Sequence, residues 1–232
     1  MILSILYYNI RAMTVSENLL RIKKDLPSNV TLVAVSKTHP ISAISEALEV
    51  GQLDFGENKV QELVQKQQQL SPHIRWHMIG HLQSNKVKYI APFVHLIHGV
   101  DSPKLLEVIQ KEGVRCNRKI NCLLQVHIAT ESSKFGFSGD ELIEYLSSNQ
   151  YKTMTHINLQ GLMGMATFTN DHEHVKTEFN YLKQLFDQLK RALFSEKSDF
   201  TILSMGMSDD YDIAIAQGSS MVRIGSSIFG HR

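Results

Sequence analysis

Residues 30–50, VTLVAVSKTHPISAISEALEV, decide the fold class. Thr31–Ser36 is an apolar, β-branched run that reads as a strand buried on both faces, and Ile41–Val50 follows with apolar residues at three- and four-residue spacing, as on one face of a helix. The turn between them lacks G-x-G-x-x-G, so it is not the βα turn of a dinucleotide-binding sheet. The same strand-then-helix alternation runs to the end of the chain. Further strands are predicted at Leu53–Phe55, Ile74–Ile79, Val94–His98, Ile120–Ile128, His156–Met163, Phe200–Ser204 and Met221–Ile224. Helices are predicted at Lys59–Leu70, Pro103–Glu112, Gly139–Ser147, His172–Leu193 and Asp209–Gln217. Eight strands with crossover helices point to an α/β protein folded as a single (β/α)8 TIM barrel, with an open doubly wound sheet as the alternative.

The composition narrows the function classes. The chain has 232 residues, 43% of them hydrophobic, which suits one barrel domain over residues 1–232. Twenty-four Lys and Arg against 23 Asp and Glu leave a net charge of +1, so neither nucleic acid nor an anionic membrane is an expected partner. Two cysteines, Cys116 and Cys122, form no disulfide framework and no zinc pattern. The apolar start, MILSILYYNIRAM, has no leading basic residue and is too short to span a bilayer, so a cytoplasmic location is expected. Ser16 is a candidate N-cap for a flanking helix through Leu19, Leu20 and Ile22, and residues 1–12 either extend that helix or form an appendage.

In a barrel, function gathers at the C-terminal ends of the strands. Lys37 closes the first strand on the same side as Val33 and Val35. An ammonium desolvated there loses pKa and becomes able to attack a carbonyl as a free amine, although a lysine at a strand end also simply snorkels to water. At the other end of the chain, MVRIGSSIFG (221–230) reads as a strand entering a helical turn, where Gly225, Ser226 and Ser227 offer backbone N–H groups to an anion. Ser204-Met-Gly-Met-Ser208 is the loop after the seventh strand, with Ser208 the expected N-cap of the next helix. Together the two loops read either as a phosphate cradle of the kind barrels place after strands seven and eight or as two ordinary capped loops. Arg223 shares a strand side with Gly225 and either donates to a ring nitrogen, which keeps that nitrogen unprotonated, or pairs with a carboxylate at the barrel mouth. His77, His81, His95, His98, His172 and His174 show no H-E-x-x-H spacing, and no metal is assigned. There is no G-x-S-x-G nucleophile elbow.

The segments LVAVSKTHP (32–40), FGENKVQE (55–62), WHMIGHLQSNKVK (76–88), ESSKFGF (131–137), GLMGMA (161–166) and LSMGMSDDYDIAIAQGSSMVRIGSSIFG (203–230) resemble the pyridoxal phosphate homeostasis proteins, nearly throughout the chain after residue 13. The resemblance implies a barrel of the alanine racemase type holding pyridoxal 5′-phosphate as a reversible Schiff base on Lys37. It puts the phosphate on Ser204, Gly225 and Ser226, the pyridine nitrogen on Arg223, Asn58 near the cofactor, and Ile79, Gly80, Gln83 and Asn85 at the same mouth. It implies a monomeric binding protein for vitamin B6 homeostasis that hands its cofactor transiently to apo-enzymes and has no catalytic residue of its own. A pyridoxal phosphate-dependent amino-acid racemase is the alternative, but it needs a second base across the ring from Lys37. Only Ser226–Arg232 follow the cradle here, and none of the 7 tyrosines falls at a strand's C-terminal end. An aldolase acting on a sugar phosphate would share Lys37 and the cradle without needing Arg223 at a ring nitrogen.

Overall fold

The structure is a computed structural model that describes residues 13–131, 135–148 and 150–230. The reading of residues 1–12 and the lysine at position 134 lie outside the described residues. Strands β1 (Thr31–Val35), β2 (Asp54–Glu57), β3 (Arg75–Met78), β4 (Leu96–Val100), β5 (Ile120–Gln125), β6 (Ile157–Met163), β7 (Ile202–Ser204) and β8 (Met221–Ile224) pair in chain order. β8 returns to β1 in parallel register, Thr31 beside Met221 and Ala34 beside Ile224, so the sheet is a closed barrel and the open alternative is excluded. Helix α1 (Val15–Asp25) precedes the barrel. One helix then follows each strand in turn: α2 (Ile41–Glu49), α3 (Val60–Gln69), α4 (Val87–Ile90), α5 (Pro103–Cys116), α6 (Gly139–Ser147), α7 (His172–Leu193), α8 (Tyr211–Ala216) and α9 (Ser226–Phe229).

The two-residue period of the strands divides the core in two. Val33, Leu96, Leu123, Met163 and Met221 pack together inside the barrel. Their neighbours in sequence, such as Leu32, Ala34, Ile97, Cys122 and Leu162, join the larger apolar layer under the helices. By the same alternation Lys37, Asn58, His77, His98, Gln125, Ser204 and Arg223 fall on the inward side. α9 is too short to cover its sector of the barrel, and α1 packs against both α9 and α2, with Leu19 and Ile22 buried and Asn18 Nδ2 donating to the Ile228 carbonyl.

Several local expectations are corrected. α1 starts two residues earlier than Ser16 implied: Thr14 is the N-cap and forms a reciprocal capping box with Glu17, while Ser16 reaches across to Glu46. β5 ends at Gln125, three residues before the predicted Ile128; Val126 still donates its N–H to the Met163 carbonyl but bridges Phe137 on its other side. β4 lies two residues later than predicted, at Leu96–Val100. α8 is only Tyr211–Ala216 with Asp210 at its cap position, so Ser208 is released from the capping role.

Candidate functional site

A cavity of about 650 Å3 opens at the C-terminal mouth, and its wall includes Lys37, Asn58, Arg223, Gly225 and Ser226. Five of the six residues expected in a site therefore share one hollow, although they come from the ends of β1, β2 and β8. The sixth, Ser204, does not line it. Gly80 on the same wall is required by close approach, since a Cβ there would sit 2.6 Å from the Asn58 carbonyl oxygen. Ile79 also lines the cavity, whereas Gln83 and Asn85 do not.

Lys37 is set by the residue after it. Thr38 has φ 66°, a left-handed conformation that costs a β-branched residue ~1–3 kcal/mol. Its N–H donates to Glu62 Oε1 at 2.5 Å. Lys66, buried on α3, donates to that same oxygen at 2.7 Å, to Glu57 Oε1 at 2.8 Å and to the Ser36 carbonyl at 2.7 Å. Ser36 Oγ also donates to Glu57 Oε1, at 2.6 Å. Burial, opposed by Lys66 and Ser36, pushes the Glu57 carboxyl above its usual pKa. The backbone on both sides of Lys37 is thus pinned by an ionic cluster between the sheet and α3.

Arg223 is held differently. Nη1 donates to the Ser204 carbonyl at 2.9 Å and to Ser204 Oγ at 2.7 Å, and Nη2 donates to the Gly164 carbonyl at 3.0 Å. A guanidinium has five N–H donors, so Nε–H and one Nη2–H remain for the cavity. Among the described residues Arg223 makes no ion pair with a carboxylate, which removes the barrel-mouth pairing considered from sequence. Burial lowers its pKa to about 10, with the Asp210 charge opposing, so it stays protonated at neutral pH. Ser204 is fully buried, and its hydroxyl is engaged by Arg223 and by His98 Nδ1 at 3.1 Å. That engagement is why its side chain is not on the cavity wall.

The third part of the wall joins the last two strand ends. Ser208 Oγ accepts the Gly225 N–H at 3.2 Å and so ties the β7 loop to the start of α9. Gly206, at φ 96°, lets that loop turn where a Cβ would meet Ala214 Cβ at 2.6 Å, and its carbonyl accepts the Arg223 N–H at 3.0 Å. Gly225 and Ser226 line the cavity at this corner.

Sequence reasoning missed the rim. Gln125 lines the cavity and donates to the Phe135 carbonyl at 2.8 Å, while Phe135 stacks on His81 with ring centroids 3.9 Å apart. Gln125 was findable: it is the true end of β5, hidden because the apolar run continues through Ile128. Phe135 and Phe168, the latter 87% exposed, carry no such signal. At the opposite, N-terminal mouth, Asp54, His77 and His95 bring ligand-type atoms within 4.8 Å of one another. Arg75 occupies both Asp54 oxygens there, at 2.7 and 2.5 Å, which opposes a cation. Among the described residues no helix is long and apolar enough to cross a membrane.

The family model described as alanine racemase, N-terminal domain, matches residues 10–232. A pyridoxal phosphate homeostasis protein of Pasteurella multocida is 38% identical over 233 residues, covering 95% of this chain and 98% of the relative. The chain belongs to the pyridoxal phosphate homeostasis protein family. Among solved structures of this family's kind, PipY of Synechococcus elongatus PCC7942 with PLP bound is 33% identical, with TM-score 0.85 over 94% of this chain and 100% of that one. An alanine racemase of Clostridium difficile 630 is 17% identical with TM-score 0.76, covering 94% of this chain and 56% of the racemase, a likeness of fold alone. The pyridoxal phosphate homeostasis family is thus a neighbour of the racemases in architecture and distant from them in sequence.

Proposed function

We propose that this protein binds pyridoxal 5′-phosphate reversibly at the C-terminal mouth, as a Schiff base on Lys37, and serves vitamin B6 homeostasis by holding the cofactor. The observation that carries the reading is the convergence of three unlike groups on one cavity: the Lys37 side chain, a buried guanidinium with donors left over, and the Gly225–Ser226 corner that opens α9. Each matches one part of the ligand. When bound, the group supplies an aldehyde for the amine and a phosphate dianion for the corner. Lys37 forms the covalent link, Gly225 and Ser226 hold the phosphate, Arg223 donates to the ring nitrogen, and Asn58 borders the ring. Ser204 enters this reading behind Arg223 rather than at the phosphate.

Arg223 keeps its proton, so a ring nitrogen facing it stays unprotonated and the ring is a poorer electron sink. That favours storage over turnover and disfavours racemisation. Action as a monomer in the cytoplasm, with transient transfer to apo-enzymes, belongs to the same proposal.

Borohydride reduction of the loaded protein, followed by digestion and mass spectrometry, tests it. The pyridoxyl mass is expected on Lys37 and is lost in Lys37→Ala; a label on another lysine overturns the assignment. Pyridoxal is expected to bind at least ~100-fold more weakly than its phosphate, because several charge-assisted hydrogen bonds are forgone. Equal dissociation constants would remove the cradle.

A further inference from the structure

A continuous line of buried hydrogen bonds crosses the barrel interior from Arg223 to the opposite mouth. Ser204 Oγ meets His98 Nδ1 at 3.1 Å, His98 Nε2 meets His77 Nδ1 at 2.9 Å, and His77 Nε2 meets Asp54 Oδ1 at 3.0 Å. Ser204, His77 and His98 are fully buried, so no water competes for these contacts.

The proton positions follow from the two ends. Arg223 can only donate to Ser204 Oγ, so the single hydroxyl proton of Ser204 goes to His98 Nδ1. Burial holds the His98 imidazole neutral, with the charge of Arg223 adding to the effect; its one proton therefore sits on Nε2 and points at His77 Nδ1. His77 then carries its proton on Nε2, facing Asp54. Burial pushes the Asp54 carboxyl up, but hydrogen bonds from Arg75 and His77 and the charge of Arg75 outweigh it and keep Asp54 ionised, able only to accept. Every donor has one acceptor, and all of them run in one direction. The reversed arrangement needs a doubly protonated His77 and leaves the Ser204 proton with none of these acceptors.

We propose that His98, backed by His77 and Asp54, is a positioning residue for Arg223: by taking the Ser204 proton it makes Ser204 Oγ an obligate acceptor and fixes the guanidinium edge that faces the cavity. The inference rests on the pyridoxal phosphate reading given above. It also assigns Ser204 to the ring end of the ligand and not to the phosphate end.

Ser204→Ala and His98→Phe separate these roles when pyridoxal and its phosphate are titrated into each. If Ser204 and His98 act through Arg223, both ligands weaken by the same factor, about tenfold for one hydrogen bond to a charged group, and the visible band of the loaded protein shifts as it does in Arg223→Gln. His98→Asn, whose amide oxygen replaces Nδ1 as acceptor for Ser204, restores the wild-type band; the double variant Ser204→Ala/Arg223→Gln is no weaker than Arg223→Gln alone. Loss confined to the phosphorylated ligand in Ser204→Ala returns Ser204 to the phosphate and overturns the proposal. Unchanged constants and band in folded His98→Phe overturn it while leaving the pyridoxal phosphate reading intact. Should His98→Phe fail to fold, the Ser204→Ala titrations decide alone. Wild-type protein that binds neither ligand defeats both readings.

Discussion

Lys37 and Arg223 are two basic side chains on the wall of one cavity, and the supports beneath them are opposite in kind. Behind Lys37 stands an ionic cluster, Glu57, Glu62 and Lys66, between the sheet and α3. Behind Arg223 stands a line of neutral groups, Ser204, His98 and His77, inside the barrel. Position explains the difference. Between sheet and helix, long side chains from α3 reach in with their own counter-charges, and Glu62 keeps a fifth of its side chain exposed, 22%. Inside a closed barrel only strand residues reach, and an added charge there would lose its hydration with little to replace it. Neutral imidazoles both donate and accept, so they carry the polar link across the core. At its far end the line meets charge again at the N-terminal mouth, where Arg75, its side chain 44% exposed, pairs with Asp54.

The largest test of this contrast is Lys66→Met. Removing the cation leaves Glu57 buried beside Glu62 without compensation, and urea unfolding is expected to show a loss of ~3–5 kcal/mol. A loss below ~1 kcal/mol would mean that the cluster is not a buried ionic support at all.

Asp54→Asn probes the other support and is expected to cost less, ~2 kcal/mol at neutral pH, because hydrogen bonds to a charged partner are weakened without an ion being stranded in the core. The sign with pH is specific. Asp54 has a depressed pKa in the folded protein, so its stabilisation is complete above the unfolded aspartate value, ~3.9, and is lost as pH falls toward the folded value. Glu57, raised chiefly by burial, contributes in the opposite sense: its part is present below its unfolded value and lost as pH rises through the folded one. The gap between wild type and Asp54→Asn should therefore be constant from pH 6 to 8 and narrow below about pH 4. A gap that widens in acid contradicts this assignment.

The smallest effect is expected at Thr38. Thr38→Gly relieves the left-handed strain of ~1–3 kcal/mol but adds unfolded-chain entropy worth ~0.5–1 kcal/mol, leaving a net gain of order 1 kcal/mol by thermal unfolding. A measured loss would show that Thr38 contributes contacts that outweigh its backbone strain.

The alternation of apolar strands with helix-period segments was enough to determine a parallel α/β fold with eight strands, because each element's burial pattern is written in its own local period, while the β8–β1 pairing decided the closed barrel against the open sheet. β8, α6 and α7 were legible to the residue. Strand ends were enough to place Lys37, Asn58, Arg223, Gly225 and Ser226, since closure of a barrel brings all strand ends to one mouth whatever their distance along the chain. Tertiary structure alone decided the end of β5, where the apolar run turns to pair with Phe137, and the role of Ser204, whose hydroxyl turns inward to Arg223 and His98. It also decided that His77 and His98 form a line, and that Glu57 and Lys66 meet behind Lys37. Those pairings depend on the stagger between strands and on which helix residue reaches which strand. No local period encodes either, so they become visible only when the barrel is closed.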